Sequence, residues 1–194
     1  MRMSDKIRET KETKITARIN LDGKGEYKVK TPFVFFNHML EQFSYHSSVD
    51  VELNAESKDN DSHHLVEDVA IVLGELFKIA LNDKKGIKRY GQFILPMDEA
   101  LVLSVIDISG RPFCKVDVDV KDEKTSDFET VLLAHFFSSF AQNLGASIHI
   151  KKLDGTDTHH IIEACFKASA RALKQAISID SAKSEEIPST KGLL

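Results

Sequence analysis

Two short motifs, each an adjacent histidine pair followed by a glutamate, carry the residues of this chain best suited to chemistry. The first is HHLVED, which begins at His63, and the second is HHIIEA, which begins at His159. Each motif opens an apolar-periodic run that predicts a helix. Imidazole and carboxylate groups are ligands of divalent transition metals, so we predict that both motifs hold metal ions.

The spacing within each motif predicts two metal sites. On a helix, residues four apart share a face, whereas adjacent residues diverge by about 100°. The first histidine of each pair therefore converges with the glutamate on one cation, and the second histidine points towards another. These residues are His63, Glu67 and the diverging His64 in the first copy, and His159, Glu163 and the diverging His160 in the second.

Two further histidines extend the repetition upstream. His38 precedes His63 by 25 residues (63 − 38), and His135 precedes His159 by 24 (159 − 135). Both lie in apolar helical runs, where a single histidine is more often a satisfied core residue than a ligand. Because six of the eight histidines fall into two matched sets, we favour metal binding for all six.

The repetition also includes Glu12 and Glu99, each of which lies 11 residues before a glycine at the end of an alternating strand pattern. Each half then reads, in order, glutamate, strand, turn, strand, histidine helix, strand and second helix. Two copies of one arrangement indicate an internal duplication. We predict an α+β fold of two tandem half-domains, residues 1–92 and 93–194, that form one compact catalytic unit with their helices packed together.

The pattern also predicts individual elements. A strand over residues 13–21 and a strand at Tyr27–Val29 are expected to form a hairpin around Asp22–Gly25, and Arg111 is expected at the tip of an equivalent second hairpin. Apolar positions three and four apart predict the helices. They run from about Val34 to Tyr45, His64 to Leu81, Phe128 to Leu144, and from the second motif to Ile177.

Composition and charge argue against several classes of function. The 194 residues are 42% hydrophobic and 29% charged, with a net charge of −4, which gives no reason to expect a nucleic-acid partner. No apolar run is long enough to cross a membrane, and the N-terminus lacks a secretory apolar segment. Cys114 and Cys165 are the only cysteines, which fits a reducing compartment. We therefore expect a cytoplasmic protein without membrane partners.

Six segments of the sequence together resemble the imidazoleglycerol-phosphate dehydratase family of histidine biosynthesis. They are NHMLEQFSYH at 37–46, HHLVED at 63–68, RYGQFILPMDEAL at 89–101, DISGRPF at 107–113, HHIIEACFKA at 159–168 and PSTKG at 188–192. The resemblance covers nearly the whole chain. It implies two tandem half-domains, each a four-stranded sheet with two helices on one face. It also implies a homo-oligomer of 24 subunits with active sites at subunit interfaces.

The resemblance further implies an enzyme that converts imidazole glycerol phosphate to imidazole acetol phosphate and water, with two Mn²⁺ ions per active site. The implied ligands of one ion are His38, His64, His159 and Glu163. Those of the other ion are His63, Glu67, His135 and His160. By the same resemblance, Glu12 is the catalytic acid–base residue. The implied substrate and phosphate contacts are Arg89, Arg111, Ser189, Lys191, Gln42 and His46.

The chemistry of this substrate explains why two cations are useful. The proton to be removed is on a carbon without an adjacent carbonyl, so the imidazole ring must relay the electrons. Cations on both ring nitrogens would favour the imidazolate form of the substrate. Manganese suits such mixed ligands, but zinc, iron and nickel bind them too. Two alternatives stay open, namely a two-metal hydrolase and a non-catalytic protein assembled through metal ions.

Overall fold

The structure is a computed structural model that describes residues 1–194. The elements of the first half are β1 (Met3–Glu9), β2 (Thr13–Asn20), β3 (Tyr27–Lys30), α1 (Val34–Ser47), β4 (Asp50–Ser57) and α2 (Ser62–Leu81). Those of the second half are β5 (Tyr90–Met97), β6 (Ala100–Asp107), β7 (Phe113–Asp117), β8 (Lys124–Thr125), β9 (Phe128–Glu129), α3 (Leu132–Leu144), β10 (Ser147–Asp154) and α4 (Thr158–Ile177). A 3₁₀ turn at Ser181–Lys183 follows.

The two halves have the same sheet topology, as the duplication predicts. The strand order is β1-β2-β4-β3 in the first sheet and β5-β6-β10-β7 in the second. In each sheet one pair is parallel, β3 with β4 and β7 with β10, and the other neighbours are antiparallel. A helix connects the two strands of each parallel pair, because parallel neighbours need a crossover.

The two predicted hairpins are wrong. β2 pairs with β1 and β4, and β3 pairs with β4 alone, so the turn around Asp22–Gly25 joins strands that are not neighbours. β6 and β7 are separated by β10 in the same way, so Arg111 is not at a hairpin tip. The reason is that β4 and β10, which come later in the chain, insert between the strands of each expected pair.

Two strands and the start of one helix differ from the elements that the sequence pattern predicts. β1 and β5 were not apparent as strands, since β1 is polar and β5 contains Gly91 and Pro96. Both are edge strands, where such residues are tolerated. Helix α3 begins at Leu132 rather than near Phe128, because Phe128–Glu129 pairs with Lys124–Thr125 in a small hairpin.

The helices of the two halves pack on one another between the two sheets. α1 and α2 cover the first sheet, and α3 and α4 cover the second; α2 contacts α3, and α1 contacts α4. The 51 buried apolar residues form one continuous core. At Gly74 of α2 a Cβ would lie 2.7 Å from the Phe140 carbonyl oxygen of α3, so glycine permits this close helix contact. None of the helices combines the length and the apolar character needed to cross a membrane.

Candidate active site

Both histidine pairs lie in the first turn of a helix that an aspartate caps. Asp61 accepts a hydrogen bond from the His63 N–H at 2.8 Å at the start of α2. Asp157 accepts hydrogen bonds from the N–H groups of His159 and His160 at the start of α4. An aspartate at this position satisfies N–H groups that have no partner within the helix. The caps therefore fix where each helix begins and thus the position of each histidine in the first turn.

The first group of converging side chains, here the α1/α4 cluster, contains His38, His159 and Glu163. Glu163 Oε2 lies 3.4 Å from His38 Nε2 and 3.1 Å from His159 Nε2. The other carboxylate oxygen lies 2.6 Å from Lys167 Nζ. Burial raises the pKa of Glu163, but the hydrogen bond and charge of Lys167, together with His38, outweigh burial and lower it. A buried, ionised carboxylate thus faces two imidazoles.

The second group, the α2/α3 cluster, contains His63, Glu67 and His135. His135 Nε2 lies 3.5 Å from Glu67 Oε2, and the rings of His63 and His135 are 4.1 Å apart between centroids. As in the first cluster, two residues come from one half of the chain and the third from the other half. The ligand atoms of each cluster all lie within 4.8 Å of one another.

The donor sets of both clusters fit a divalent metal ion. Two imidazole nitrogens and one carboxylate are a common ligand set for transition metals, with positions left for other ligands. The Nε2 atom of His135 is buried and has no hydrogen-bond partner. A buried polar atom without a partner costs free energy, and a bound cation would satisfy it. His63, Glu67 and His135 therefore have the geometry of a partial coordination shell.

His64 and His160 lie outside both clusters, as their positions next to the converging histidines predict. His64 Nδ1 lies 2.7 Å from Asp59 Oδ2, and its Nε2 is 4.0 Å from Glu12 Oε1. His160 Nδ1 lies 2.7 Å from Glu99 Oε2. Each predicted four-ligand set is thus represented in one chain by three converging residues, with the fourth histidine directed elsewhere.

Glu12 is exposed at the end of the β1–β2 connection and is the carboxylate on the Nε2 side of His64. In the second half, Asp98 has a similar place, with Oδ2 3.6 Å from His160 Nε2. Glu99, the sequence counterpart of Glu12, instead binds the other ring nitrogen of His160. A hydrogen bond from the Asp157 N–H, followed by the one from His160, lowers the pKa of Glu99 to about 2.

Four predicted phosphate-binding residues line a single recess of about 540 Å³ at the C-terminal tail. They are Arg89, Arg111, Ser189 and Lys191. Asp107 holds Arg89 through two hydrogen bonds, from Nε at 2.7 Å and from Nη2 at 3.2 Å, and it raises the pKa of Arg89. Arg111 and Lys191 are exposed and have no carboxylate partner. The recess therefore offers positive donors to an anion.

The tail that forms this recess is held against the body of the chain. Arg89 Nη1 donates to the Pro188 carbonyl at 3.0 Å, and the Gly86 N–H donates to the Glu186 carbonyl at 2.9 Å. Ile87 and Ile179 form an isolated β-bridge. The tail is therefore part of the candidate site and not a frayed end.

Gln42 and His46 lie one and two turns beyond His38 on α1, outside the recess. Residues 38, 42 and 46 share a helix face. Burial lowers the pKa of His46, and the charges of Lys167 and Arg171 on α4 add to this effect. These two residues thus lie on the face of α1 that carries His38, next to α4.

The recess and the α1/α4 cluster lie at opposite ends of α4. The backbone N–H of Arg89 donates to the Ala176 carbonyl in the last turn, whereas Glu163 is in the second turn. The 13 residues between them (176 − 163) correspond to about 20 Å along the helix axis. The recess and the α1/α4 cluster are therefore two separate groups of residues within one chain.

The sequence interpretation gave no role to three residues that contact the predicted ligands. Asp59 was not singled out, Glu99 was assigned no role, and Lys167 was not considered. Lys167 follows Glu163 by four residues, so helical spacing was a usable signal. Glu99 was recognisable only as the counterpart of Glu12, and its contact with His160 depends on the tertiary fold.

The fold and site define a class of protein: a duplicated α+β protein with paired histidine–carboxylate clusters between its halves and a basic recess at its tail. A family model for imidazoleglycerol-phosphate dehydratase matches residues 31–173. The chain belongs to the imidazoleglycerol-phosphate dehydratase family, whose members are lyases of histidine biosynthesis.

Individual relatives support this membership over the full length. The imidazoleglycerol-phosphate dehydratase of Metallosphaera sedula is 47% identical over 194 residues, which covers 100% of this chain and 99% of the relative. That of Caldanaerobacter subterraneus is 48% identical over 195 residues, with 100% of both chains covered. The solved structure from Pyrococcus furiosus, a complex with (S)-C348, has a TM-score of 0.85 and 39% identity, and covers 97% of this chain and 100% of that one.

Proposed function

We propose that this chain removes water from imidazole glycerol phosphate to form imidazole acetol phosphate, with two metal ions at each active site. Family membership makes the chain an enzyme of the dehydratase type in histidine biosynthesis that acts on a small phosphorylated substrate. The observation that carries the finer proposal is the pair of histidine–carboxylate clusters, each drawn from both halves of the chain.

The clusters account for most of the proposed ligands. His38, His159 and Glu163 would hold one ion with His64, and the α2/α3 cluster would hold the other with His160. When bound, the two ions would favour the imidazolate form of the substrate ring. We propose Mn²⁺, and other divalent transition metals suit the same donors.

The proposed proton-transfer residue is Glu12. Its carboxylate is exposed and lies 4.0 Å from Nε2 of His64, one of the residues that would hold a metal ion. A general acid–base group must come within hydrogen-bond distance of the carbon or oxygen that exchanges a proton. Glu12 has no ion pair with a lysine or arginine that would restrain it from doing so.

The phosphate end of the substrate would be held in the recess at the tail. Arg111 and Lys191 offer positive charge, Ser189 offers a hydroxyl group, and the bidentate contact with Asp107 fixes Arg89 in one orientation. Charged donors of this kind bind phosphate oxygens more strongly than neutral ones. Gln42 and His46 are proposed as further substrate contacts from α1.

We propose that complete active sites form between subunits of a homo-oligomer, with 24 subunits as the expected assembly. Two features support this. His64 and His160 point away from the clusters of their own chain, and the recess lies about 20 Å along α4 from Glu163. We also propose two half-domains, with the expected division into residues 1–92 and 93–194 moved to just before Tyr90, because β5 begins there and pairs within the second sheet. We propose the cytoplasm as the location.

The direct test is dehydration of imidazole glycerol phosphate by the purified full-length chain. We expect turnover with added Mn²⁺ and its loss after thorough chelation, with recovery when Mn²⁺ is returned. Activity that survives chelation would contradict the two-metal proposal. Hydrolysis of phosphate esters without dehydration would instead support a two-metal hydrolase.

A single substitution separates the enzyme from a non-catalytic metal-linked assembly. Glu12→Gln removes the proposed acid–base group but keeps its size, so turnover should be lost while mass photometry reports the same oligomer. Glu26→Gln is a matched control, because Glu26 is also an exposed glutamate of the first half and lies outside the clusters. Full activity in Glu12→Gln would rule out the proposed role.

A further inference from the structure

We infer that Asp59 and Glu99 are positioning residues that fix the tautomers of His64 and His160 for metal binding. The inference rests on the proposed function, in which both histidines are metal ligands. A histidine binds a metal through an unprotonated ring nitrogen, and the hydrogen bond at the other nitrogen decides which one that is.

In the first half, the two oxygens of Asp59 have separate partners. Oδ2 lies 2.7 Å from His64 Nδ1. Oδ1 accepts hydrogen bonds from the Asp61 N–H at 3.0 Å and the Ser57 hydroxyl at 3.1 Å. An ionised carboxylate can only accept, so the proton of neutral His64 must be on Nδ1. Its Nε2 lone pair is then available to a metal.

In the second half, the oxygens of Glu99 are divided in the same way. Oε2 lies 2.7 Å from His160 Nδ1. Oε1 accepts hydrogen bonds from the N–H groups of Thr156 at 3.1 Å and Asp157 at 2.7 Å. One oxygen thus holds the loop that leads into α4, and the other places the proton on Nδ1 of His160.

The two carboxylates reach this arrangement from different places in the chain. Asp59 lies five residues before His64 (64 − 59), on the loop that leads into α2. Glu99 lies 61 residues before its histidine (160 − 99), between β5 and β6. The sequence counterpart of Glu99 is Glu12, which is on the Nε2 side of His64. Since the equivalent contact comes from non-equivalent positions, duplication alone does not explain it, and a shared functional requirement does.

Asp59 also belongs to a group with Glu12 and His64 whose ligand atoms lie within 4.8 Å of one another. These three could be regarded as a cation site of their own. However, both Asp59 oxygens already accept hydrogen bonds, one from the histidine ring and one from the loop. The contacts therefore favour Asp59 as the partner of His64 over Asp59 as a direct metal ligand.

The test uses substitutions of matched shape in the full-length protein. In Glu99→Gln the remaining oxygen keeps the bonds to Thr156 and Asp157, so the amide NH₂ faces His160 Nδ1. The amide donates where the carboxylate accepted, which moves the histidine proton to Nε2 and blocks the metal position. Asp59→Asn has the same effect on His64. A purely structural role for either residue would tolerate these changes.

Mn²⁺ affinity and stoichiometry are measured by electron paramagnetic resonance of the free ion, without substrate or turnover. We expect two bound ions per chain in the unsubstituted protein. In each variant one ion should bind roughly 10- to 100-fold more weakly and the other normally. Thermal unfolding in chelator should change little. Glu52→Gln, an exposed glutamate on the outer face of the first sheet, should behave like the unsubstituted protein.

The outcomes separate this inference from the proposed function. If the unsubstituted protein binds no Mn²⁺, both fall. If it binds two ions and folded Asp59→Asn and Glu99→Gln bind them equally well, only the positioning role is overturned. Three bound ions that fall to two in Asp59→Asn would make Asp59 a ligand instead. Glu99→Ala, which removes both sets of hydrogen bonds, should lose thermal stability as well as Mn²⁺ affinity.

Discussion

The α1/α4 and α2/α3 clusters contain the same residue types, but their carboxylates have different surroundings. The Glu163 side chain is 6% exposed, and its second oxygen contacts Lys167. The Glu67 side chain is 39% exposed. The two copies are offset by 96 residues (159 − 63), and at this offset the counterpart of Lys167 is Ile71 (167 − 96). Only the α1/α4 cluster therefore has a lysine next to its carboxylate.

This difference indicates that the two clusters have the same arrangement of ligand residues but different charges around their glutamates. Lys167 offsets part of the negative charge of Glu163, whereas no lysine or arginine contacts Glu67. A cation at the α2/α3 cluster would therefore meet a less compensated carboxylate. The duplication retained the ligand types while the charges next to them diverged.

The largest expected effect is on activity, from removal of either carboxylate. Glu163→Gln and Glu67→Gln should each lower kcat/KM by at least about 100-fold, more than substitution of a residue that only supports a ligand.

The two variants should also differ in the free energy of unfolding of the metal-free protein. Glu163→Gln leaves Lys167 without its anion and should cost about 1–3 kcal/mol, whereas Glu67→Gln should be nearly neutral. Steady-state kinetics and denaturant unfolding check these outcomes. Equal unfolding free energies for the two variants would contradict the comparison.

The next effect concerns how closely the helices approach. Gly74 of α2 and Ala170 of α4 are counterparts at the offset of 96 residues (170 − 74). Gly74→Ala should destabilise the protein by about 1–3 kcal/mol, because its Cβ would lie 2.7 Å from the Phe140 carbonyl oxygen and the helices would have to separate. Thermal unfolding measures the change. A higher melting temperature would mean that the better helix propensity of alanine outweighs the contact.

Lys167→Met tests the contribution of the Lys167 ammonium group. It should lower the free energy of unfolding of the metal-free protein by about 1–2 kcal/mol at neutral pH. Lys167 helps to hold the pKa of Glu163 below its ordinary value, so their interaction stabilises the fold above that value and is lost as the pH falls through the folded pKa. The stability difference between Lys167→Met and the unsubstituted protein should therefore shrink in acid. Unfolding in chelator across a pH series checks this. A difference that grows in acid would contradict it.

The smallest expected effect is at the start of α1. Asp127, from the loop of the β8–β9 hairpin, accepts hydrogen bonds from the N–H groups of Val34 and Phe35. The N-cap residues of α1 and of its counterpart α3 make no side-chain cap hydrogen bond, so Asp127 supplies the cap of α1 from another segment. Asp127→Ala should cost about 1 kcal/mol, which is typical of a lost cap. Thermal unfolding checks it, and Asp122→Asn, which alters an acceptor of the same segment away from α1, is the control.

Much of the fold and of the candidate site was predictable from the sequence. The α+β class, the duplication and the helix-on-helix packing are confirmed, because apolar periodicity reports which face of an element is buried. The convergence of His159 with Glu163, and the divergence of His160, follow from helical spacing and are found in the structure. The roles of these residues as metal ligands stay predictions.

Other features were not predictable from local pattern. The insertion of β4 and β10 between expected hairpin strands depends on long-range pairing, which alternation does not encode. β1 was missed because an edge strand tolerates polar residues. Asp59 was missed because a carboxylate in a polar loop has no distinguishing signal until the ring that it contacts is known. Glu99 was identified only as the repeat counterpart of Glu12, so its contact with His160 was not predicted.

The sequence by itself determined the residue types, their spacing and their repetition, since the angle between neighbours on a helix is set by local backbone geometry. Only the tertiary structure decided which helices meet. α1 brings His38 to Glu163, and α3 brings His135 to Glu67, each across the boundary between the halves. An apolar face specifies that a helix will be buried but not against which partner, so the third residue of each cluster depends on how the whole chain packs.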